Sequence, residues 1–401
     1  MIVGEETVGE ETVGDKTVGD KTGGETCVGE ETMTTQLETT TQHPTILRGA
    51  EDPGLGYLRI ATEEAFCPPE LVRMWQEMLA AGGEIDPGFR SQMGFYLRSS
   101  AERPKYIFER LQDLGPLRLA DMDATGIDRQ VISLTAPGTQ IFADAATATS
   151  VATLANDQLA DACRAHPDRF SGLTAVAPQD PRAAAEEIRR GHDQLGFCGA
   201  ILNSHTNGEY FSDPKFWPIL EAAEALDTPI YLHPTTPPPS MIGPLLEAGL
   251  EGAIYGFAVE TGMHLLRIIR SGAFDRFPRL KFVVGHLGEA LPFWLYRLDY
   301  MHAAAVRAGR YESIKPLQRK VSDYMRENVW CTTSGMAWEP AIQFCRQVLG
   351  AERVLYAMDY PYECVPAEVR DQDAMALSPA EKKAFYQTNA EELFGLPRAG
   401  R

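Results

Sequence analysis

Short apolar runs alternate with longer segments of helical periodicity from residue 57 onward. Eight runs have the length and continuous apolar character of strands buried on both faces of a parallel sheet. The predicted strands are residues 57–62, 130–135, 172–176, 198–202, 229–233, 281–285, 329–333 and 354–358. The predicted helices are residues 105–114, 148–166, 181–195, 216–226, 259–270, 289–308, 317–328 and 339–349. This alternation is typical of repeated βα units.

Eight such units predict a (β/α)8 barrel, at about the length that a barrel with insertions needs. A doubly wound open sheet is the alternative, but no Gly-x-Gly-x-x-Gly follows any predicted strand. Residues 67–103, 136–147 and 234–258 are long for connections between a strand and its helix. We expect these insertions to overhang the carboxyl ends of the strands, where barrel active sites lie.

The amino-terminal segment has a different composition. Residues 3–32 are built on a five-residue repeat, Val-Gly-Glu-Glu-Thr and its variants. One small apolar residue per unit cannot offset the entropy of ordering the chain, so residues 1–32 are predicted to be a disordered leader. Met33 is a second candidate start, which sequencing the mature amino terminus would decide. Residues 33–56 are predicted to be a polar arm or linker, and residues 57–397 the barrel domain.

The formal net charge of the chain is −19. Residues 1–32 carry nine acids and two lysines, a net charge of −7, which leaves −12 for the rest. This balance argues against nucleic acid as a partner, because phosphates need a concentrated basic face. It would also repel an anionic substrate unless arginines reverse the sign of the potential inside the pocket.

The sequence also bears on the compartment. No run of about eighteen apolar residues occurs, so we expect no membrane span. The acidic amino terminus lacks the basic and then apolar plan of a secretory signal. The seven cysteines are scattered and include no Cys-x-x-Cys, which favours reduced thiols over a disulfide framework. These features predict a cytoplasmic protein.

Four predicted strands lead into residues that can bind or assist a metal ion. These residues are Glu63, His233, His286 and Asp359. A single histidine or aspartate at such a position is more often a packing or turn-capping residue. Two histidines and two acids at the same edge of one barrel are harder to explain that way, and they predict a mononuclear catalytic metal site.

The segments around these residues resemble those of a known family. They are Ala61-Thr62-Glu63-Glu64-Ala65-Phe66, Leu202-Asn203-Ser204-His205-Thr206, Tyr231-Leu232-His233-Pro234, Gly285-His286-Leu287-Gly288-Glu289 and Met358-Asp359-Tyr360-Pro361. They are similar to the amidohydrolase superfamily and, more narrowly, to its non-oxidative aromatic acid decarboxylases. The resemblance runs from about Gly56 to Leu396, and it implies a divalent metal held by Glu63, His233 and Asp359.

Hydrolytic members of this superfamily usually open with His-x-His and carry a bridging lysine after the fourth strand. The corresponding residues here are Glu63 and Ala65, and Leu202-Asn203-Ser204 supplies no lysine. A binuclear site is therefore not expected. One imidazole and two carboxylates suit Mn²⁺ better than Zn²⁺, which is the second choice.

The resemblance implies loss of CO2 from a small hydroxylated aromatic carboxylate. The first expectation is conversion of 5-carboxyvanillate to vanillate in the catabolism of lignin-derived aromatics, with a resorcylate or dihydroxybenzoate as the alternative substrate. Hydrolysis of a lactone or amide by the same metal is an alternative reaction, and a metal-binding barrel without activity is a third interpretation. The resemblance also implies a homodimer or larger homo-oligomer.

The resemblance assigns roles to single residues. Asp359 is the expected proton donor to the ring carbon. His286 is expected to donate a hydrogen bond or shuttle a proton, and Glu289 is expected to orient it, to open the next helix as a first-turn acid, or to do both. Arg103 and Arg297 are the expected counter-charges for the substrate, unless they are solvated arginines on helix faces. The other expected pocket residues are Tyr362, Thr135, His205 and Phe95.

Overall fold

Eight parallel strands form one sheet in which each strand pairs with the next one along the chain. The structure is a computed structural model that describes residues 46–398, and the predicted leader of residues 1–32 lies outside them. The strands are β1 Ile60–Phe66, β2 Arg129–Leu134, β3 Phe170–Ala175, β4 Gly199–Asn203, β5 Ile230–His233, β6 Phe282–Val284, β7 Val329–Thr332 and β8 Val354–Leu355.

The two outer strands of this sheet meet, so that it nearly closes on itself. The backbone N–H of Thr62 in β1 donates to the carbonyl of Tyr356, just past β8, at 3.1 Å. The N–H of Ala65 donates to the carbonyl of Tyr360 at 2.7 Å. Eight parallel strands alternating with helices and curled into a nearly closed barrel confirm the predicted (β/α)8 fold.

Helices follow the strands and bury their apolar faces. In the helix after β2, Ala148, Val151, Ala155 and Leu159 are buried at helical spacing, and the helix packs on β3. Asp144 caps the start of that helix by accepting the N–H of Thr147 at 2.7 Å. The α-helices described are Pro69–Ala81, Pro87–Arg98, Glu102–Leu111, Pro116–Thr125, Ala145–Ala165, Pro181–Arg190, Trp217–Ala225, Gly243–Ala248, Gly256–Arg270, Ala273–Arg276, Leu291–Ala308, Val321–Asn328, Glu339–Leu349, Pro366–Asp373, Pro379–Lys383 and Asn389–Phe394.

Several predicted boundaries were wrong. Strand β1 begins three residues later than predicted and runs on to Phe66, so Glu63 lies inside the strand rather than after it. Strand β8 ends at Leu355, three residues short of the prediction. The insertion of residues 67–103 contains two helices, Pro69–Ala81 and Pro87–Arg98, each opened by a proline. Among residues 46–398, no helix combines the length and the apolar character needed to cross a membrane.

The described part of the predicted arm packs against the end of the barrel where the strands begin. The Asp128 carboxylate, just before β2, accepts the backbone N–H groups of Gly49 and Ala50 at 2.9 Å each and that of Arg59 at 2.8 Å. The Arg59 guanidinium in turn lies 2.7 Å from Asp373. These contacts fix residues 46–59 at the face opposite the carboxyl ends of the strands.

A fully buried polar network lies behind the loop that follows β4. The N–H of Phe211 donates to His264 Nε2 at 3.0 Å, so Nδ1 carries the imidazole hydrogen, and it lies 3.2 Å from Ser204 Oγ. The hydroxyls of Ser204 and Tyr210 each donate to Glu260 at 3.0 Å. Burial raises the pKa of Glu260 to about 7 and lowers the pKa of His264 to about 3.

The raised pKa of Glu260 predicts a pH dependence of stability. Because the native pKa lies above the ordinary value of 4.5, this group stabilises the fold below about pH 4.5, and that contribution is lost as the pH rises through 7. The loss is on the order of 3 kcal/mol. Urea unfolding at pH 5 and pH 8 is expected to show a smaller pH-dependent loss in Glu260→Gln than in the unmodified protein. The same loss in both proteins would contradict this assignment.

Candidate active site

The Glu63 carboxylate lies at a register shift in β1. Two residues, Thr62 and Glu63, separate Ala61 from Glu64, while only Val131 separates their partners on β2. Such a bulge redirects a side chain, here toward the barrel interior, where Glu63 is buried. Its Oε2 accepts hydrogen bonds from the hydroxyls of Tyr231 and Thr332, the latter at 2.7 Å. Within residues 46–398 its Oε1 has no hydrogen-bond partner.

The second candidate ligand, His233, closes β5. Its Nδ1 lies 2.8 Å from the carbonyl oxygen of Pro234, so the imidazole hydrogen sits on Nδ1. The lone pair of Nε2 is therefore free to bind a metal, and Nε2 lies 3.6 Å from Glu63 Oε1. Burial lowers the pKa of His233, which favours this neutral form.

Asp359 completes the set from the loop after β8, where its backbone is left-handed, with a φ of 63°. Possible ligand atoms of Glu63, His233 and Asp359 all lie within 4.8 Å of one another. The buried Oε1 without a partner, the free imidazole lone pair and a second carboxylate fit a single divalent cation. Gly285 leaves room for this arrangement, because a Cβ there would lie 2.8 Å from both Glu63 oxygens.

His286 borders the same cluster from the loop after β6. Its Nε2 lies 3.8 Å from Glu63 Oε1, and its Nδ1 lies 2.8 Å from Glu289 Oε1. Residues from His286 to Ala290 all have left-handed backbone, with φ between 52° and 77°. The helix therefore begins only at Leu291, and the predicted alternative for Glu289 as its first-turn acid is wrong.

The clustered charges shift the protonation of several groups in the absence of a cation. Burial, followed by the neighbouring Glu63 carboxylate, raises the pKa of Asp359 to about 8. Burial opposes the charged form of His286, but Glu289 and Glu63 outweigh it and raise the pKa of that imidazole to about 10. The cluster thus contains a carboxyl group that can hold a proton at neutral pH and an imidazole that stays protonated.

Four residues predicted to contact substrate lie together. The hydroxyls of Tyr362 and Thr135 are 2.8 Å apart, and Arg103 donates to the carbonyl oxygen of Tyr362 at 2.9 Å. Tyr96 packs its ring edge-to-face on both Tyr362 and Phe95. Phe95 remains 60% exposed, as an aromatic ring at the rim of a pocket would be.

The other two residues predicted to contact substrate, His205 and Arg297, make no hydrogen bond to these four residues. His205 borders a cavity of about 420 Å³ that Gln140, Asn203 and Thr236 also line. Both of its ring nitrogens are occupied, since Nε2 donates to the Thr236 carbonyl at 3.1 Å and Nδ1 accepts the N–H of Gly208 at 3.2 Å. Arg297 is exposed on the helix Leu291–Ala308, and its guanidinium has no ion pair or hydrogen bond to residues 46–398.

Sequence reasoning missed the residues that hold the Glu63 carboxylate. Tyr231 lies two positions before His233 in β5, so both side chains project from the same face of that strand. The two-residue repeat of a strand could therefore have predicted that Tyr231 lies near the metal site. No local sequence pattern predicts the same of Thr332 and Gly285, because their contacts with Glu63 form only when β6 and β7 pair in the barrel.

A (β/α)8 barrel with one imidazole and two carboxylates at its mouth is the architecture of a metal-dependent barrel enzyme. The family profile described as Amidohydrolase matches residues 107–396. The chain belongs to the amidohydrolase family.

Two individual relatives indicate which members of the family the chain is similar to. Gamma-resorcylate decarboxylase from Rhizobium sp. strain MTP-10005 is 37% identical over 304 residues, covering 74% of this chain and 91% of that protein. The structure of 5-carboxyvanillate decarboxylase from Novosphingobium aromaticivorans, complexed with manganese and 4-hydroxy-3-methoxy-5-nitrobenzoic acid, is 55% identical, with a TM-score of 0.86. It covers 88% of this chain and 99% of that chain.

A third comparison concerns a resorcinol-type ligand. Dihydroxybenzoic acid decarboxylase from Polaromonas sp. JS666, with bound manganese and the inhibitor 2-nitroresorcinol, is 34% identical with a TM-score of 0.74. It covers 85% of this chain and 98% of that chain. Manganese-bound aromatic acid decarboxylases therefore share this fold over nearly their whole length.

Gly285 supplies a test of the metal site in which no candidate ligand is replaced. Gly285→Ala puts a methyl group against both Glu63 oxygens, so the carboxylate must move. Mn²⁺ affinity is expected to fall about 10–100-fold, the range typical of changes that misorient a ligand. Titration of free Mn²⁺ by electron paramagnetic resonance would measure it. Gly243→Ala is the control, since a Cβ there meets nothing within 4 Å. Unchanged affinity in Gly285→Ala would contradict the assignment of Glu63 as a ligand held by this close contact.

Proposed function

We propose that this chain is a manganese-dependent decarboxylase of a hydroxylated aromatic carboxylate. The proposed substrate is 5-carboxyvanillate and the products are vanillate and CO2, a step in the breakdown of lignin-derived aromatics. The observation that carries the proposal is the convergence of Glu63 of β1, His233 of β5 and Asp359 of the loop after β8, with possible ligand atoms all within 4.8 Å of one another. The 55% identity to a 5-carboxyvanillate decarboxylase supports the choice of substrate.

The metal site of the proposal is formed by Glu63, His233 and Asp359. A divalent ion bound there would act as a Lewis acid toward the phenolic oxygen and the carboxylate of the substrate. Mn²⁺ is proposed because oxygen ligands dominate this set, and manganese is bound in two similar decarboxylase structures. Zn²⁺ is the second choice.

Asp359 is the proposed source of the proton that makes decarboxylation possible. Direct loss of CO2 would leave an aryl anion, whereas protonation of the ring carbon by Asp359 gives a ketone with the carboxylate in the β position. The carbon–carbon bond then breaks, its electron pair restores the aromatic ring, and CO2 leaves. Because Asp359 is also a proposed ligand, a bound cation would keep its carboxyl group ionised, so the protonated form must be made as the substrate arrives.

The surrounding residues are proposed to hold the ring in place. The imidazolium of His286, kept charged by Glu289, is positioned to donate a hydrogen bond to an anionic oxygen of the substrate. Arg103 supplies positive charge beside Tyr362 and Thr135, where a second carboxylate of the substrate would be paired. Phe95 offers an exposed aromatic face at the same place.

A resorcylate is the second candidate substrate. Relatives named gamma-resorcylate decarboxylase are 36% to 37% identical and cover 72% to 74% of this chain. A resorcylate has a single carboxylate, so it would leave Arg103 without an anionic partner. For this reason 5-carboxyvanillate, which carries two carboxylates, is preferred.

The direct test is turnover of 5-carboxyvanillate by the full chain with Mn²⁺, followed as vanillate formation and CO2 release. Asp359→Asn removes the acidic proton, and kcat is expected to fall by about 10²–10⁴-fold. Asp371→Asn, at an exposed position on the helix Pro366–Asp373, is the matched control and should keep full activity. Turnover of gamma-resorcylate alone would overturn the proposed substrate. Full activity of Asp359→Asn would overturn the proton donor.

We also propose that the protein works as a cytoplasmic homodimer. The six cysteines described by the structure are all free thiols, which supports a reducing compartment. The helix Leu291–Ala308 exposes Phe293, Tyr296, Arg297 and Tyr300 at helical spacing, and Phe293 and Tyr296 are 75% and 86% exposed. Contiguous exposed aromatic rings mark interaction surfaces, and a two-fold axis would bury this face of both copies.

The dimer can be tested without touching the metal site. Phe293→Asp combined with Tyr296→Asp places charge on the proposed interface and is expected to halve the mass measured by sedimentation equilibrium. Leu117→Asp, which alters a partly exposed apolar residue of the helix Pro116–Thr125, should leave the mass unchanged. An unmodified chain that sediments as a monomer would refute the dimer.

A further inference from the structure

Glu64, the neighbour of Glu63 in β1, is fully buried and faces a different set of partners. Its Oε1 accepts the backbone N–H of Met358 at 3.0 Å. Its Oε2 accepts the backbone N–H of Tyr360 at 3.3 Å and the side-chain amide of Gln130 at 3.2 Å. One carboxylate thus binds the two peptide N–H groups on either side of Asp359.

This bridge lies where the regular sheet has ended. Strand β8 stops at Leu355, so no continuous strand ladder holds the backbone of residues 356–360. The backbone of Asp359 is left-handed, a conformation that residues other than glycine seldom adopt unless their surroundings hold them in it. The Glu64 carboxylate replaces the missing ladder partner at Met358 and Tyr360, and these two bonds bracket the strained residue.

A second layer holds Glu64 itself. The side-chain carbonyl of Gln130 accepts a hydrogen bond from Arg118 at 3.0 Å, while its amide donates to Glu64. The Arg118 guanidinium is fully buried, donates to the carbonyl of Ala65, and stacks over the Tyr360 ring at 4.5 Å. The Glu64 carboxylate therefore has little freedom to move.

We propose that Glu64 is a positioning residue of the metal centre, because it fixes the backbone of Asp359 relative to Glu63. Glu63 and Glu64 are consecutive residues of one strand, so β1 sets the place of two candidate ligands, one directly and one through the amides of Met358 and Tyr360. The inference rests on the proposed function only in taking Glu63 and Asp359 as ligands of one metal.

Two variants of Glu64 change different properties of its side chain: one changes its hydrogen-bonding groups and the other changes its length. Glu64→Gln keeps the size of the side chain, but its NH2 group faces an N–H donor, so one bond beside Asp359 is lost. Glu64→Asp keeps the charge, but its carboxylate falls one methylene short of the amides. In both variants the Kd for Mn²⁺, measured on the full chain by electron paramagnetic resonance of the free ion, is expected to rise about 10–100-fold. At saturating Mn²⁺, kcat is expected to fall while KM changes little, because the substrate contacts are intact.

The matched control is Glu187→Gln. Glu187 lies on the helix Pro181–Arg190, outside the metal site, and its buried carboxylate binds Arg190 of the same helix and Asn156 of the helix Ala145–Ala165. Its replacement should lower the urea midpoint without changing the Kd for Mn²⁺. A Glu64 variant whose only change is a lower urea midpoint would show a purely structural role and overturn the inference.

The outcomes also separate this inference from the proposed function. A wild-type chain that binds Mn²⁺ but turns over no aromatic acid refutes the function, while the Kd shifts of the Glu64 variants still decide the role of Glu64. Wild-type affinity for Mn²⁺ in Glu64→Asp overturns the positioning role whatever the turnover. A wild-type chain that does not bind Mn²⁺ overturns both.

Discussion

The buried Glu63 carboxylate is the constraint on which the rest of the site depends. One oxygen is satisfied by hydroxyls from β5 and β7, and the other has no partner within residues 46–398. An ionised carboxylate held in this way is costly unless a positive charge faces the free oxygen. Tyr231 of β5 and Thr332 of β7 both bind the Glu63 carboxylate of β1, so this carboxylate links three strands across the barrel interior. The packing of the barrel and the geometry of the candidate metal site therefore depend on each other.

The titratable groups that surround Glu63 differ in the direction in which their pKa values shift. In the absence of a cation, burial and the neighbouring Glu63 raise the pKa of Asp359, Glu289 raises the pKa of His286, and burial lowers the pKa of His233. Two histidines at neighbouring strand ends are thereby suited to the proposed roles of a charged donor and a neutral ligand. The difference comes from what each Nδ1 contacts, a carboxylate in His286 and a backbone carbonyl in His233.

The sequence predicted the eight strands, their order and the three candidate ligands, because burial and strand ends leave local signals. It misplaced the end of β1, since Glu63 and Glu64 are polar and were interpreted as a loop, whereas the barrel buries both. The partners of these two glutamates lie between 66 and 296 residues away in sequence. No local pattern predicts such contacts, and the contact of Arg103 with Tyr362, 259 residues apart, is of the same kind.

The left-handed turn from His286 to Ala290 has a consequence for engineering. Only one of its five residues is glycine, and for each of the other four the left-handed backbone costs about 1–2 kcal/mol of conformational energy. Glycine substitutions at Leu287 or Ala290 would recover part of that energy. They would also make the segment that positions the His286 imidazole more flexible. In this segment, greater thermostability would therefore favour glycine, whereas the alignment of the candidate active site favours the residues now present.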